Sequence, residues 1–342
     1  MRLRRIGINI ALLVASTVVC LLLVELGLRI FFPQTEPIVW LKNDPELGKV
    51  PVKSYEGKHR FVMGHDEINF RINSLGLRGR EYDLSDTTGI RILTLGDSYT
   101  FGWGVADTET FSYLLEKRLD QESEYENMVF NAGVLGWCTV QEYLYLKRLY
   151  PKLHPDIVVV TYLPFDAIQN CSMAYLNPDL RLTWKQWKLP FEDFLADNSH
   201  LYRFARKIQK QLYFQSEERE RIKRLKEAGK QIPENPTKVD FYTDEEWEKL
   251  KEIFDEFFRF CEARDVDLVI QTAGVYSDTL VTFFRNFADQ RPRVYYHDLA
   301  PVVAGYPEDE IYIPNDRHFT VLGNQLVAKA LYGFLVEQEL MQ

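Results

Sequence analysis

The sequence predicts an α/β fold: a doubly wound, mostly parallel sheet, preceded by an N-terminal transmembrane helix and interrupted by a helical insertion. Three observations carry this. Short all-apolar runs alternate with amphipathic stretches along most of the 342 residues, and strands apolar on both faces belong to parallel sheets covered by helices on both sides. Each of the first three runs leads into a turn-like sequence, Gly96-Asp97-Ser98, Asn131-Ala132-Gly133 or Pro164-Phe165-Asp166, so polar groups gather where the strands end. An uncharged stretch from Ile6 to Val24 follows Arg2, Arg4 and Arg5.

That stretch comes first along the chain. Apolar character continues through Leu26, Leu28, Ile30, Phe31 and Phe32 to Pro33, and about 20 such residues span the hydrocarbon core as a helix. Residues 1–33 therefore read as a cytoplasmic N-terminus and an uncleaved anchor. No Ala-x-Ala arrangement follows the run, as a cleaved signal peptide would want. Val19, not a small residue, precedes Cys20, and three arginines do not suit the end of a buried core helix. The arginines favour a cytoplasmic N-terminus, which exports everything after Pro33. Glu25 and Arg29, at i,i+4 spacing, read as a local ion pair at the outer interface, with a docking face for another membrane protein as the alternative.

Residues 34–90 form a polar approach segment whose residues 70–81 are strand-like pieces broken by glycines. A strand over 92–95 follows, then a helix over 111–119 with Phe111, Leu114, Leu115 and Leu119 on one face, a strand over 128–131, a helix over 140–150 and a strand over 157–163. Residues 170–242 break this rhythm with Trp184, Trp187, Phe191 and Phe194, a charge-dense stretch over 217–230, and Pro233 and Pro236. They read as a partly helical insertion, its charges a solvated face and its aromatics packing residues. Because it follows a strand end, it is the place for a lid. The core resumes with an amphipathic helix over 244–264, carrying Trp247, Leu250, Ile253, Phe254, Phe257 and Phe258 and an acidic first turn. A strand over 268–272, a helix over 279–287, a strand over 294–297 and a last helix over 321–335 complete the domain.

The 46% hydrophobic content supports one sizeable domain plus attachments. A formal net charge of -9, with no basic cluster read on the soluble part, argues against a nucleic-acid partner. The four cysteines show no metal-ligand spacing, and no cofactor is called for. Cys138 and Cys171, each a few residues past a core strand, are the candidates for a disulfide.

Ser98 stands at the C-terminal edge of the first core strand, where open α/β sheets place their ligands. A serine there is a nucleophile if a base can reach it. The base candidate is His318, in Asn315-Asp316-Arg317-His318 ahead of the last helix, where an imidazole could take the hydroxyl proton and a carboxylate could fix its tautomer. His59, His65, His154 and His200 read as structural or surface residues.

Taken together, Gly96-Asp97-Ser98, Asn131-Ala132-Gly133-Val134-Leu135-Gly136, Pro164-Phe165-Asp166 and the Asp316–His318 pair resemble the four blocks of the SGNH (GDSL-type) hydrolase superfamily, over residues 71–335 with the insertion inside. The glycine-broken segment ahead of the first core strand is similar to that of membrane-anchored bacterial members. The resemblance implies an SGNH/flavodoxin-like three-layer domain over 91–342, with Ser98 as nucleophile, His318 as base and Asp316 as its orienter. Many members carry that Asp three before the histidine, where this chain has Asn315. The resemblance also assigns oxyanion donors to the backbone amides of Ser98 and Gly136. The family's third donor is an Asn side chain at the position of Phe165, which cannot hydrogen-bond; Asn170, Thr139 and Tyr162 are the candidate substitutes, and Asp166 is read as stabilising its loop.

The implied function is a serine esterase or O-acyltransferase, anchored in the bacterial inner membrane and facing the periplasm, that acts on ester groups of envelope or exopolysaccharide glycans. Phe165, Glu25 and Arg29 motivate an alternative, a catalytically weak glycan-binding or scaffold partner of a membrane acyltransferase. A lipid or thioester hydrolase is third.

Overall fold

The computed structural model describes residues 2–34, 38–61, 67–171, 173, 191–229, 242–273, 277–314 and 316–341. The chain divides into two compact units, Met1–Ile38 with Trp184–Ile232, and Val39–Thr183 with Pro233–Gln342.

The first unit joins the N-terminal helix α1 (Arg2–Phe31) to α6 (Glu192–Asn198) and α7 (His200–Glu227) of the insertion. Among the described residues, α1 is the one helix long and apolar enough to cross a membrane, and its apolar window is unburied. The Glu25–Arg29 pair forms at 2.7 Å as the spacing implies. Glu25 does more than pair with Arg29, however. Its Oε1 accepts the His200 N–H at 2.9 Å, and its Oε2 accepts the Leu201 N–H at 2.8 Å and the Ser199 hydroxyl at 2.9 Å. The insertion's aromatics depart from the packing role expected of them: Phe191 is 81% exposed and Phe194 64%. Trp184, Trp187, Pro233 and Pro236 lie outside the described residues.

The second unit is the α/β domain. Its core strands are β5 (Arg91–Gly96), β6 (Met128–Gly133), β7 (Ile157–Tyr162), β8 (Asp267–Thr272) and β9 (Val294–Asp298). All pair in parallel, in the order β6-β5-β7-β8-β9. Every residue of β5, β6 and β7 is buried, which is why these strands read as continuous apolar runs and not as alternations. Between them run α3 (Phe111–Glu122), α4 (Thr139–Leu153), α8 (Asp244–Glu262) and α9 (Asp278–Asp289), and α12 (Val321–Glu337) closes the domain. Two apolar layers result. One gathers α4, α8 and α9 against Leu93, Val158 and Leu268; the other gathers α3 and α12 against Ile92, Val159 and Val269. Residues alternate between them because successive strand side chains point to opposite faces. In α8, Leu250, Ile253, Phe254 and Phe257 are each fully buried, a contribution of about 1.5–3 kcal/mol per side chain.

The polar approach segment is more ordered than its composition suggests. It folds into two antiparallel hairpins, β1 (Leu41–Asp44) with β2 (Gly48–Pro51), and β3 (Tyr55–His59) with β4 (Ile68–Ile72). In β4, Phe70 and Ile72 are buried while Arg71 points outward. This period of two was visible in the sequence but short. The disulfide expectation fails: all four cysteines are free. Cys138 Sγ donates to Gln141 Oε1 at the start of α4, and Cys171 Sγ donates to the Ala167 carbonyl of the helix it caps, α5 (Phe165–Asn170).

Candidate active site

The order of the core strands reverses between β5 and β7, and ligands of open α/β sheets bind outside the strand ends at such a point. β5 ends there at Gly96, and the chain turns into α2 (Ser98–Phe101), whose N-cap is Asp97. Asp97 Oδ1 accepts the Tyr99 N–H at 2.9 Å, so Ser98 emerges at the first helical position. The turn is close-packed. A Cβ on Gly96 would lie 2.1 Å from Thr100 Oγ1, and one on Gly133 would lie 2.1 Å from the Phe101 amide nitrogen. Asn131 ties the two blocks together: its Nδ2 donates to the Thr100 carbonyl at 2.8 Å and its Oδ1 accepts the Gly133 N–H at 3.1 Å.

The loop before α12 delivers His318. It is closed by Asp316 N–H and Arg317 N–H donating to the Ile313 carbonyl, at 3.1 and 2.9 Å, and by Ile313 N–H donating to the His318 carbonyl at 2.8 Å. Arg317 adopts φ +72° to make the turn. His318 Nε2 then lies 2.7 Å from Ser98 Oγ, and His318 Nδ1 lies 2.5 Å from Asp316 Oδ1. With Asp316 accepting from Nδ1–H, Nε2 is the unprotonated nitrogen, the one able to take the serine proton. Asn315 lies outside the described residues; Asp316, two positions before the histidine, makes the contact.

Aromatic rings flank the imidazole. The Tyr99 ring is 4.9 Å from it and the Trp103 ring 5.7 Å, centroid to centroid. Tyr99 Oη donates to the Arg317 carbonyl at 2.7 Å. The residue after Ser98 thus holds the loop that carries His318. Asp97 Oδ2 is a second, longer acceptor for Ser98 Oγ, at 3.3 Å. Burial pushes the Asp97 carboxyl up to about 6, against the opposing pull of the Tyr99 N–H and of His318.

Gly136, exposed and at φ +68°, lies on the turn between β6 and α4. The Phe165 ring, at the start of α5, is 55% exposed. Asp166 accepts from Thr139 Oγ1 at 3.1 Å and from the Leu163 N–H at 3.3 Å, so it braces the β7–α5 turn. The three proposed substitute donors are all buried. Thr139 spends its hydroxyl proton on Asp166, Tyr162 Oη bonds Tyr242 Oη at 2.9 Å, and Asn170 Oδ1 accepts the Val140 N–H at 3.1 Å. Burial, reinforced by the neighbouring carboxylates, pushes both Glu142 and Asp166 well above the ordinary range. Among the described residues neither carboxyl oxygen of Glu142 has a hydrogen-bond partner. The remaining histidines sit apart from this chemistry: His59 is buried among Trp40, Phe61 and Trp103, His154 is a left-handed helix cap, His200 starts α7, His297 is buried against Phe334 with Nδ1 3.0 Å from Gln271 Oε1, and His65 lies outside the described residues.

One residue of the site's support carried no functional signal in the sequence. Arg78, 2% exposed, donates to the carbonyls of Phe101, Gly102 and Val105 and to Asp107 Oδ1, at 2.6–2.9 Å, and lies 4.5 Å over the Phe101 ring. It pins the chain just after α2. Its cue was an arginine between two glycines in an otherwise apolar and polar alternation.

No family model matches the chain, and no curated protein matches it. Solved structures similar to it include one described as TesA, at 13% identity over 71% of this chain and 97% of that one, with a TM-score of 0.42. Others are the psychrotrophic esterase EstA from Pseudoalteromonas sp., at 12% identity over 72% and 97% with a TM-score of 0.41, and the Clostridium thermocellum family 3 carbohydrate esterase, at 12% identity over 74% and 99% with a TM-score of 0.41.

Proposed function

We propose that this chain is a membrane-anchored, extracytoplasmic serine esterase or O-acyltransferase of the SGNH type, acting on ester groups of envelope or exopolysaccharide glycans. The observation that carries the reading is the continuous line from Ser98 Oγ to His318 Nε2 at 2.7 Å and from His318 Nδ1 to Asp316 Oδ1 at 2.5 Å. The compartment follows from the arginines ahead of α1. The glycan class follows from the likeness to anchored family members.

In this reading Ser98 Oγ attacks the ester carbonyl carbon while its proton passes to His318 Nε2. Asp316 keeps the imidazole in the receptive tautomer and stabilises the imidazolium that forms. The amides of Ser98 and Gly136 receive the charge developing on the carbonyl oxygen. Collapse breaks the bond to the alkoxy group, which takes the proton from His318 and leaves as the alcohol. Water, or the hydroxyl of a second sugar, then attacks the acyl-serine with His318 again as base. The first returns a carboxylic acid and the second a new ester. Phe165 offers no third donor, and of the candidate substitutes Asn170 keeps its buried Nδ2 without a hydrogen-bond partner among the described residues. The scaffold alternative loses part of its motive, because Glu25 and Arg29 make their bonds within the first unit.

Labelling with a fluorophosphonate, which phosphonylates activated serines, tests the reading. Wild-type protein should label at Ser98, and Ser98→Ala and His318→Ala should each abolish both labelling and turnover of a small ester while melting like wild type. A Ser98→Ala protein with wild-type turnover would overturn the assignment.

A further inference from the structure

We propose that the first four turns of α7, with Phe191 and Phe194 just ahead of them, lie on the surface of an anionic lipid bilayer beside the point where α1 leaves it. The proposal rests on the reading of α1 as the anchor, and three observations carry it.

The first is the joint between α1 and α7. The opening N–H groups of a helix have no partner within it. In α7 those of His200 and Leu201 are taken by the Glu25 carboxylate of α1, at 2.9 and 2.8 Å, while Ser199 Oγ accepts the Tyr202 N–H at 3.1 Å. Arg29 reaches the Asn198 carbonyl, and Gln34 N–H donates to His200 Nδ1 at 3.0 Å. At about 1.5 Å of rise per residue, Glu25 lies only about 9 Å from the end of α1 at Phe31. The start of α7 is thereby tied to the level at which the apolar run meets the headgroups.

The second is charge. From His200 to Ser216 the sequence contains Arg203, Arg206, Lys207 and Lys210 and no Asp or Glu, in a chain of formal net charge -9; Glu192, Asp193 and Asp197 precede this stretch, and Glu192 pairs with Arg206 at 3.4 Å. The acidic balance of the whole chain hides this local excess.

The third is an apolar stripe that stays exposed among the described residues. Leu201, Phe204, Ile208 and Leu212 recur at the spacing of one helix face. Phe204 is 36% exposed, Ile208 41% and Leu212 61%, and Phe191 and Phe194 ahead of them are more exposed still. Stepping 100° per residue places Arg203, Arg206 and Lys207 on the other half of the helix. A basic amphipathic helix of this kind buries its apolar face at the headgroup boundary and is held there by anionic lipid. The lipid-facing surface of α1 is continuous with the site through the Glu25 joint.

The test uses the full chain in vesicles of phosphatidylcholine alone or with an equal part of phosphatidylglycerol. A diazirine reagent confined to the bilayer interior is photolysed, and labelled residues are mapped by mass spectrometry. The expected result is labelling of α1 and, in the anionic vesicles, of Phe204, Ile208 and Leu212. Reversal of Arg203, Arg206 and Lys207 to Glu should reduce labelling of the stripe by about fivefold or more and leave α1 labelled as before. A labelled α1 with an unlabelled stripe overturns the proposal, whether water or a second copy of the chain covers that face. Labelling of the stripe that ignores both the lipid charge and the reversal overturns the electrostatic part. An unlabelled α1 would instead sink the anchor reading, a distinct failure.

Discussion

Ser98, His318 and Asp316 meet, and in the proposed oxyanion site Phe165 stands where the family resemblance expects an Asn donor. One such donor is worth about 10²–10³ in rate. Phe165 is half exposed, so its replacement removes little packing. Phe165→Asn should therefore raise kcat on a small ester, measured by steady-state turnover, by up to about that factor; a neutral or harmful outcome would mean that another group already fills the position. Tyr99 supports the base from the other side. Its hydroxyl holds the Arg317 carbonyl at 2.7 Å, and its ring touches His318 and Phe319. Tyr99→Phe keeps the ring and loses the bond. With a hydrogen bond worth about 0.5–1.5 kcal/mol, kcat should fall about two- to tenfold with KM unchanged, and Tyr99→Ala should cost more. Equal losses in the two variants would show that the hydroxyl carries the whole effect.

At the scale of elements, the site is held by contacts between pieces distant in the sequence. The Asn131–Gly133 strand end braces α2, Arg78 from the approach segment pins the chain beyond it, and Asn324 Oδ1 accepts the Phe111 N–H at 3.0 Å to join α12 to α3. The α4–α5 contact behind the site contains the unsatisfied Glu142. A carboxyl whose folded pKa lies above its unfolded value keeps its proton while the unfolded chain loses it. Stability then falls as pH rises above the ordinary glutamate range of about 4.3. Glu142→Gln removes that linkage without changing the shape of the side chain. Its melting temperature relative to wild type should rise steadily from pH 5 to pH 8, measured by thermal denaturation. A pH-independent difference would show that Glu142 is not held neutral. Asp97, pushed up to about 6, adds to the same fall in stability as pH rises toward that value.

At the scale of the whole molecule, the orientation of α1 decides which compartment would hold the proposed ester chemistry. Arg2, Arg4 and Arg5 at one end of a 30-residue helix predict that the domain after Pro33 is exported. An export-dependent phosphatase fused after Gln342 should be active and a cytoplasm-only reporter silent; the reverse pattern would move the reaction to the cytoplasm and remove envelope glycans as substrates. The same helix bonds to α7 through Glu25, so α1 and part of the insertion form one unit, a grouping that no local sequence pattern announced.

What the sequence determined by itself is what depends on near neighbours in the chain. The apolar runs of β5, β6 and β7 declared strands buried on both faces, the spacing of Leu250, Ile253, Phe254 and Phe257 declared the buried face of α8, and the glycines around Ser98 and Asn131 declared the tight turns that their close contacts require. Ser98 and His318 were legible as a pair because each stands beside its own local signal. The tertiary structure alone decided the rest, because those choices are made between residues far apart. It set Asp316 against His318, as the resemblance implied, through the geometry of a single loop. It committed Thr139 and Tyr162 to buried bonds, kept Cys138 and Cys171 apart, and turned a polar approach segment into two hairpins. It also gave Glu25 a partner some 175 residues along the chain, since a carboxylate's best donors are fixed by what folding brings within 3 Å of it and not by the residues beside it.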